Sequence, residues 1–411
     1  MDGTWQNLAT TTKLTNVGRV ALDVKPMGED GVQQLVHYSP GIGAESFLAE
    51  TEDRIFKGAT GQGAEEQIIS AYLFLSLNFA MGDHIYLFGF SRGAFCARSL
   101  AGLIRACGII KREHASRVRE AFKLYQRNVN TDAEAAAARA KFREAYAIAP
   151  VYEMERGDDN HPHASYISYV GVFDTVVMRG LIKPQSQSTV GKRFAFHDLR
   201  LGTHVRAARQ ALAIDERRET LRPTYWSNLS ALNVMAGHDP NNPDAPYQQK
   251  WFTGAHGDVG GGESDELSEV SRKWIKRGAK AAGLDFDGEP LEITPQQGGF
   301  AFLQGQIEEP KGFLNIAGFF DRSLFPEPVD PSELPDTMMG MVVKTAQDML
   351  KPKAKPSAED ILRLSHGSAL LRAFQEGRSP AYAPKTLQPL LRALEDPALR
   401  AEVLERAKEL M

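Results

Sequence analysis

The chain has 411 residues, 42% hydrophobic and 24% charged, with a net charge of −4. That is the balance of a folded globular protein, long enough for one large core plus an appended layer or a second small domain. The charge gives no reason to expect nucleic acid or an anionic surface as partner. No apolar run approaches the ~20 residues of a membrane span. Met1-Asp2-Gly3-Thr4-Trp5 has neither the basic region nor the apolar stretch of a signal peptide. The expected location is the cytoplasm, with membrane contact peripheral at most.

Leu35-Val36-His37-Tyr38 reads as a short strand, stopped by Ser39-Pro40-Gly41. Apolar residues at Ile68, Ile69, Tyr72, Leu73 and Leu75 carry the spacing of a helix over 65–79. Gly82-Asp83 then turns the chain into a buried strand, His84-Ile85-Tyr86-Leu87-Phe88. A second helix runs from Arg92 to about Ala106 and is closed by Gly108. It holds both cysteines, Cys96 and Cys107, about 16 Å apart on a helix and too far to bridge. Alternating strand and helix implies a parallel sheet with right-handed crossovers. From Lys111 to about Ile148 the chain is charged and alanine-rich, a solvated helical insertion. Tyr166 to Val172 is another buried strand, ending at Phe173-Asp174-Thr175. Lys250-Trp251-Phe252 is a further one, opening into a glycine-rich loop around His256. Beyond about Leu284 prolines thicken and the helices become short and amphipathic. The expected organisation is a catalytic domain over 1–284 and a mainly helical, Pro-rich region over 285–411. Apolar clusters at 313–320 and 338–343 suit a lid or lipid-facing surface, and more commonly the face a helix buries on its own domain.

Gly89-Phe90-Ser91-Arg92-Gly93 matches the G-x-S-x-G nucleophile elbow. A serine on a sharp strand-to-helix turn is held strained, and glycine at the flanking positions Gly89 and Gly93 lets two backbones pass closely. The turn pushes the hydroxyl out at the carboxyl edge of the sheet, where the helix N-terminus offers N–H groups to an oxyanion. A serine hydroxyl needs a base to take its proton. Of ten histidines, His256 is the best placed, in a loop just after a strand. His84 opens a strand, and His161 and His163 fall in a polar segment without the carboxylate or cysteine spacing of a metal site. The base in turn needs an acid to hold its tautomer. Asp174, at the carboxyl end of a strand, gives the order serine, acid, histidine of the α/β-hydrolases. Asp258, only two residues from His256, and Asp215, among charged neighbours, are the alternative acids. Gly260-Gly261-Gly262 lacks the lysine of a phosphate loop.

These stretches, with Val172-Phe173-Asp174-Thr175-Val176 and His256-Gly257-Asp258-Val259-Gly260-Gly261-Gly262, resemble the first family of bacterial type VI secretion lipase effectors, which extends into uncharacterised α/β-hydrolases of bacteria and fungi. Asp2-Gly3-Thr4-Trp5 is similar to that family's Asp-Gly-Thr loop, Tyr38 to Gly43 to its Tyr-Asp-Pro-Gly-Val-Gly turn, and Ala211 to Arg218 to its Ala-Leu-Asp-Glu-Arg segment. The likeness runs from residue 2 to about 265 and is thin after 285. It departs at Gln210, where many relatives carry histidine, and at Ser39, where they carry aspartate. In the family the Asp-Gly-Thr loop follows a first β-strand, whereas this chain begins at the loop.

The resemblance implies an α/β-hydrolase-like fold, a mostly parallel central sheet with helices on both faces. It implies phospholipase A-like ester cleavage by a triad of Ser91, Asp174 and His256. The Arg92 N–H, with that of Gly3 or Thr4, is the expected oxyanion hole, and neither metal nor organic cofactor is called for. The implied partners are an acyl-ester substrate, a contact-dependent secretion apparatus and an immunity protein. Two other readings fit the residues: a soluble carboxylesterase, and a catalytically silent hydrolase-fold binding protein.

Overall fold

The computed structural model describes residues 1–3, 6–8, 13–42, 62–127, 133–148, 167–176, 200–218, 221–240, 242, 244–288, 290–292, 357–374 and 384–411. Four parallel strands, β1 (Ile85–Phe90), β2 (Ile167–Phe173), β3 (Ala208–Ala213) and β4 (Tyr247–Phe252), lie side by side in chain order. The class is α/β, as expected.

Alternate strand residues feed two cores. Ile85, Leu87, Val170 and Val172 pack with α2 (Gln62–Asn78), α3 (Arg92–Cys107) and α4 (Val118–Gln126). Phe88, Phe90, Tyr169 and Phe173 turn to the other face, beneath α1 (Asn16–Asp23) and the long helix Asp265–Ala281. A sheet covered on both faces explains why β1 and β2 read as near-continuous apolar runs. The long helix begins where the Ser264 hydroxyl accepts the Leu267 N–H. Both cysteine thiols are buried and pushed up to about 12, chiefly by that burial, so neither offers a reactive thiolate.

Two expectations change, and one strand was not anticipated. Residues 35–38 form no strand: Leu35 and Val36 are 63% and 48% exposed. The backbone that follows pairs with a loop and a side chain instead, Ser39 O taking the Asp2 N–H and Pro40 O the Gln67 amide. Strand β3, Ala208-Arg-Gln-Ala-Leu-Ala, gave no strand signal in the sequence. Alanine has low strand propensity, and here the neighbours on both edges impose the conformation. The alanine-rich insertion is less solvated than its charge pattern implies. It comprises a 3₁₀ turn (Arg112–Arg117), α4 and α5 (Ala133–Tyr146), and Phe122, Tyr125 and Phe142 are buried in the first core.

At the far edge of the sheet Trp251 bridges Ser365, and a third core joins Leu212, Ile214 and Trp251 to Ile361, Leu370, Leu390 and Val403. The C-terminal helices over 358–409 therefore pack on β4. The apolar clusters at 313–320 and 338–343 lie outside the described residues. Among the described residues no helix is long and apolar enough to cross a membrane.

Candidate active site

The site stands at the carboxyl ends of the strands. Ser91 follows β1 directly, with φ 58° and ψ −124°, a left-handed conformation that a serine adopts only under constraint. The constraint is visible. Ser91 N–H donates to Phe173 O at 3.0 Å, its carbonyl takes the Phe95 N–H at 3.3 Å, and helix α3 starts at the next residue. A side chain at Gly89 would put its Cβ 2.5 Å from Ala94 Cα, and one at Gly93 would come within 2.4 Å of the Met1 and Asp2 carbonyl oxygens. The glycines of the elbow thus admit helix α3 and the N-terminal segment to the turn.

Asp174 ends β2, also at positive φ (38°), and is fully buried. Its Oδ1 accepts the Ala213 N–H at 3.0 Å and its Oδ2 faces His256 Nδ1 at 2.7 Å. His256 Nε2 in turn lies 2.8 Å from Ser91 Oγ. The three side chains form one hydrogen-bonded line, walled by the Phe90 ring, whose centroid is 4.7 Å from that of the imidazole. With Asp174 on one ring nitrogen as acceptor, Nδ1 carries the proton and Nε2 is left to accept from the serine hydroxyl.

His256 does not sit in a loop, as the glycines suggested. It opens a short helix, His256–Gly260, whose amino end is held from two sides. The Glu216 carboxylate accepts the His256 N–H at 3.2 Å, and Asp258 accepts the Ala255 N–H at 2.9 Å. The two alternative acids are accounted for in this way: Asp258 caps that helix, and Asp215 accepts the Gly254 N–H at 2.7 Å. Neither reaches the imidazole as Asp174 does. Glu216 is the residue that sequence reasoning passed over, although its Asp-Glu-Arg segment was noted. It is completely buried and pairs with Arg218 at 2.7 Å.

The N-terminal loop is fixed by Asp2. One carboxylate oxygen takes the hydroxyls of Thr15 (2.8 Å) and Tyr38 (2.6 Å), the other the N–H of Gly3 (2.7 Å). Burial, then the charge of Asp2, pushes the Tyr38 hydroxyl well above its usual range, so it stays protonated and donates. The Gly3 amide, one of the two expected oxyanion donors of this loop, donates to the Asp2 carboxylate here. Thr4 lies outside the described residues, as do His161 and His163. Arg92 heads helix α3, where first-turn amides lack intrahelical acceptors. Its guanidinium is drawn down to about 10, mainly by burial, and remains charged at neutral pH. Among the other histidines, His84 meets Ser168 Oγ at the opposite end of the sheet. Gln210 bonds Thr175 Oγ1, Gln249 and Thr224 O, bracing the turn just after Asp174 from behind.

The turn at Gly41 is the tightest contact in this region. A Cβ there would fall 1.6 Å from the Gly3 carbonyl oxygen. Gly41→Ala is therefore expected to destabilise the chain by about 3 kcal/mol, the upper end of what overpacking typically costs. Denaturant unfolding measures it, and a loss below about 0.5 kcal/mol would mean that the loop yields freely.

Residues 1–278 match the family model described as T6SS, phospholipase effector Tle1-like, catalytic domain. The chain belongs to the Tle1-like phospholipase effector family. The match covers the four described strands and all three residues of the hydrogen-bonded line, and ends before the described C-terminal helices. An uncharacterized protein of Saccharomyces cerevisiae is 37% identical over 108 residues, 24% of this chain and 16% of that protein. A Tle1 effector solved bound to the VgrG spike of the type 6 secretion system aligns at 20% identity and TM-score 0.30, over 62% of this chain and 41% of that one. An uncharacterized protein from Pseudomonas aeruginosa aligns at 14% identity and TM-score 0.37, over 99% of this chain and 58% of that one. The Tle1-like chain thus spans less than two thirds of the length of each of these proteins.

Proposed function

We propose that this chain is a serine hydrolase that cleaves carboxylic esters of phospholipids, with Ser91 as nucleophile, His256 as general base and acid, and Asp174 as its orienting acid. The observation that carries the reading is the continuous line from Ser91 Oγ through both imidazole nitrogens to Asp174 Oδ2, at 2.8 and 2.7 Å. Such spacing permits direct proton transfer. Membership of a phospholipase effector family supports the lipid as substrate.

Ser91 Oγ attacks the ester carbonyl carbon while its proton passes to His256 Nε2. Asp174 stabilises the imidazolium that forms. The carbonyl oxygen becomes an oxyanion, taken by the Arg92 N–H and an amide of the loop at Thr4. Collapse of the tetrahedral intermediate breaks the bond to the alcohol, which leaves with the proton from Nε2. Water then repeats the sequence on the acyl-enzyme, releasing fatty acid and restoring Ser91. Family membership also supports delivery through a contact-dependent secretion apparatus. The secretion spike, known as partner of a Tle1 effector, and an immunity protein in the producing cell are the partners this reading names.

The test is fatty-acid release from phospholipid vesicles, compared with cleavage of a short-chain soluble ester, together with fluorophosphonate labelling located by mass spectrometry. Release from vesicles and a label on Ser91 are expected. Cleavage of the soluble ester alone would convert the reading to a carboxylesterase. Inactivity on both, with no label on the folded chain, would leave a silent binding protein.

A further inference from the structure

On the long-helix face of the sheet, toward the amino end of β3 and away from Ser91, lies a cavity of about 270 Å³. Three cationic side chains converge on it from three elements: Arg209 of β3, Lys250 of β4 and Arg277 of the helix Asp265–Ala281. Lys250 is only 5% exposed. Neither arginine has a carboxylate within ion-pair distance among the described residues, although the charge of Asp244 acts on both and that of Glu292 on Arg277. Arg209 donates to Trp274 O at 2.7 Å and lies over the Trp274 ring, and Arg277 donates to Leu410 O at 3.1 Å. Arg277 Nε, although buried, has no hydrogen-bond acceptor. The carboxylates in the lining, Asp244 and Glu409, are on exposed residues at the rim.

Three positive groups gathered in a partly desolvated space repel one another, and burial weakens the screening that water would supply. The effect is felt at Lys250, whose ammonium is drawn down to about 7, by burial first and by Arg209 next. A structural role alone is served better by apolar residues of the same volume. A multiply charged anion would meet the Arg277 Nε that lacks an acceptor and lie against the other two cations, and a 270 Å³ space exceeds what a phosphate needs, leaving room for an attached polar group.

We propose that this cavity binds a phosphate dianion, free or as a phosphate monoester, through Lys250, Arg209 and Arg277, with Asp244 and Glu409 positioned to take hydroxyls of the ester part. The site is distinct from the Ser91 line, and its occupancy does not depend on hydrolysis.

Thermal unfolding of the full chain in sodium phosphate, against sodium chloride of equal ionic strength, tests the assignment. A saturable rise in Tm with phosphate is expected, with affinity about 10- to 100-fold weaker in Lys250→Met and in Arg277→Gln. Lys250→Met keeps an unbranched chain in the buried position, and an unchanged cooperativity of unfolding in chloride shows that a loss of binding is not a loss of structure. Broadening of the ³¹P resonance on titration reads binding directly. Glycerol phosphate acting like phosphate points to a free solute. Lys250-dependent retention on phosphatidic acid vesicles, without a response to the soluble anions, points to a lipid headgroup; either supports the phosphate chemistry. An equal response to chloride, or an undiminished response in both variants, overturns it.

Discussion

Ser91→Ala is expected to slow ester hydrolysis by about 10⁶-fold, because the groups of a triad act as a unit and removing the nucleophile disables the other two. His256 keeps its bond to Asp174 in the variant, so the site is not rearranged and the melting temperature should stay within about 2 °C of wild type. Asp174→Asn should lose less, about 10⁴-fold, since an amide in that position favours the wrong imidazole tautomer without removing any reacting group. The order of the two effects is informative. Single-turnover rates on a soluble ester would give it, and a Ser91→Ala enzyme within tenfold of wild type would mean that another residue attacks the substrate.

Glu216→Ala has the largest expected effect on stability, about 3–5 kcal/mol, the cost of leaving one member of a buried ion pair alone. The side chain is completely buried, and its two oxygens serve the Arg218 backbone N–H, the Arg218 guanidinium and the His256 N–H. Removing it strands the Arg218 charge and frees the start of the helix that carries His256. Activity should fall with stability, and Glu216→Gln should restore part of both by keeping the acceptor oxygen. Denaturant midpoints and kcat measured on the three proteins decide the matter. A cost under about 1 kcal/mol would show that Arg218 finds other acceptors.

The strands and helix that present Ser91 were legible because their signals are local: an apolar run, a glycine-flanked turn and a helix closed by Gly108. Asp174 was legible by its place after the second apolar strand. What escaped the sequence depends on contacts between distant segments. Strand β3 is alanine-rich and gains its conformation from β2 and β4. The exposed stretch Leu35-Val36 carries apolar residues in a strand-like run, but among the described residues no strand pairs with it. The Gly3 amide looked available until the Asp2 carboxylate, held by Thr15 and Tyr38, was seen to bend back onto it. Glu216 gave no signal of its own, since a buried carboxylate and a surface one are spelled alike.

Ser91 and Asp174 follow adjacent strands, and the main chain ties those two ends directly: Ser91 N–H to Phe173 O, Val176 N–H to Ser91 O, Asp174 N–H to Ala211 O. Their spacing is consequently a property of the sheet ladder and not of the long connections between strands. In evolutionary terms the fold separates reactivity from recognition. Insertions can lengthen, shorten or replace the segments between the strands, altering what is admitted to the serine, while its distance to the acid is inherited unchanged.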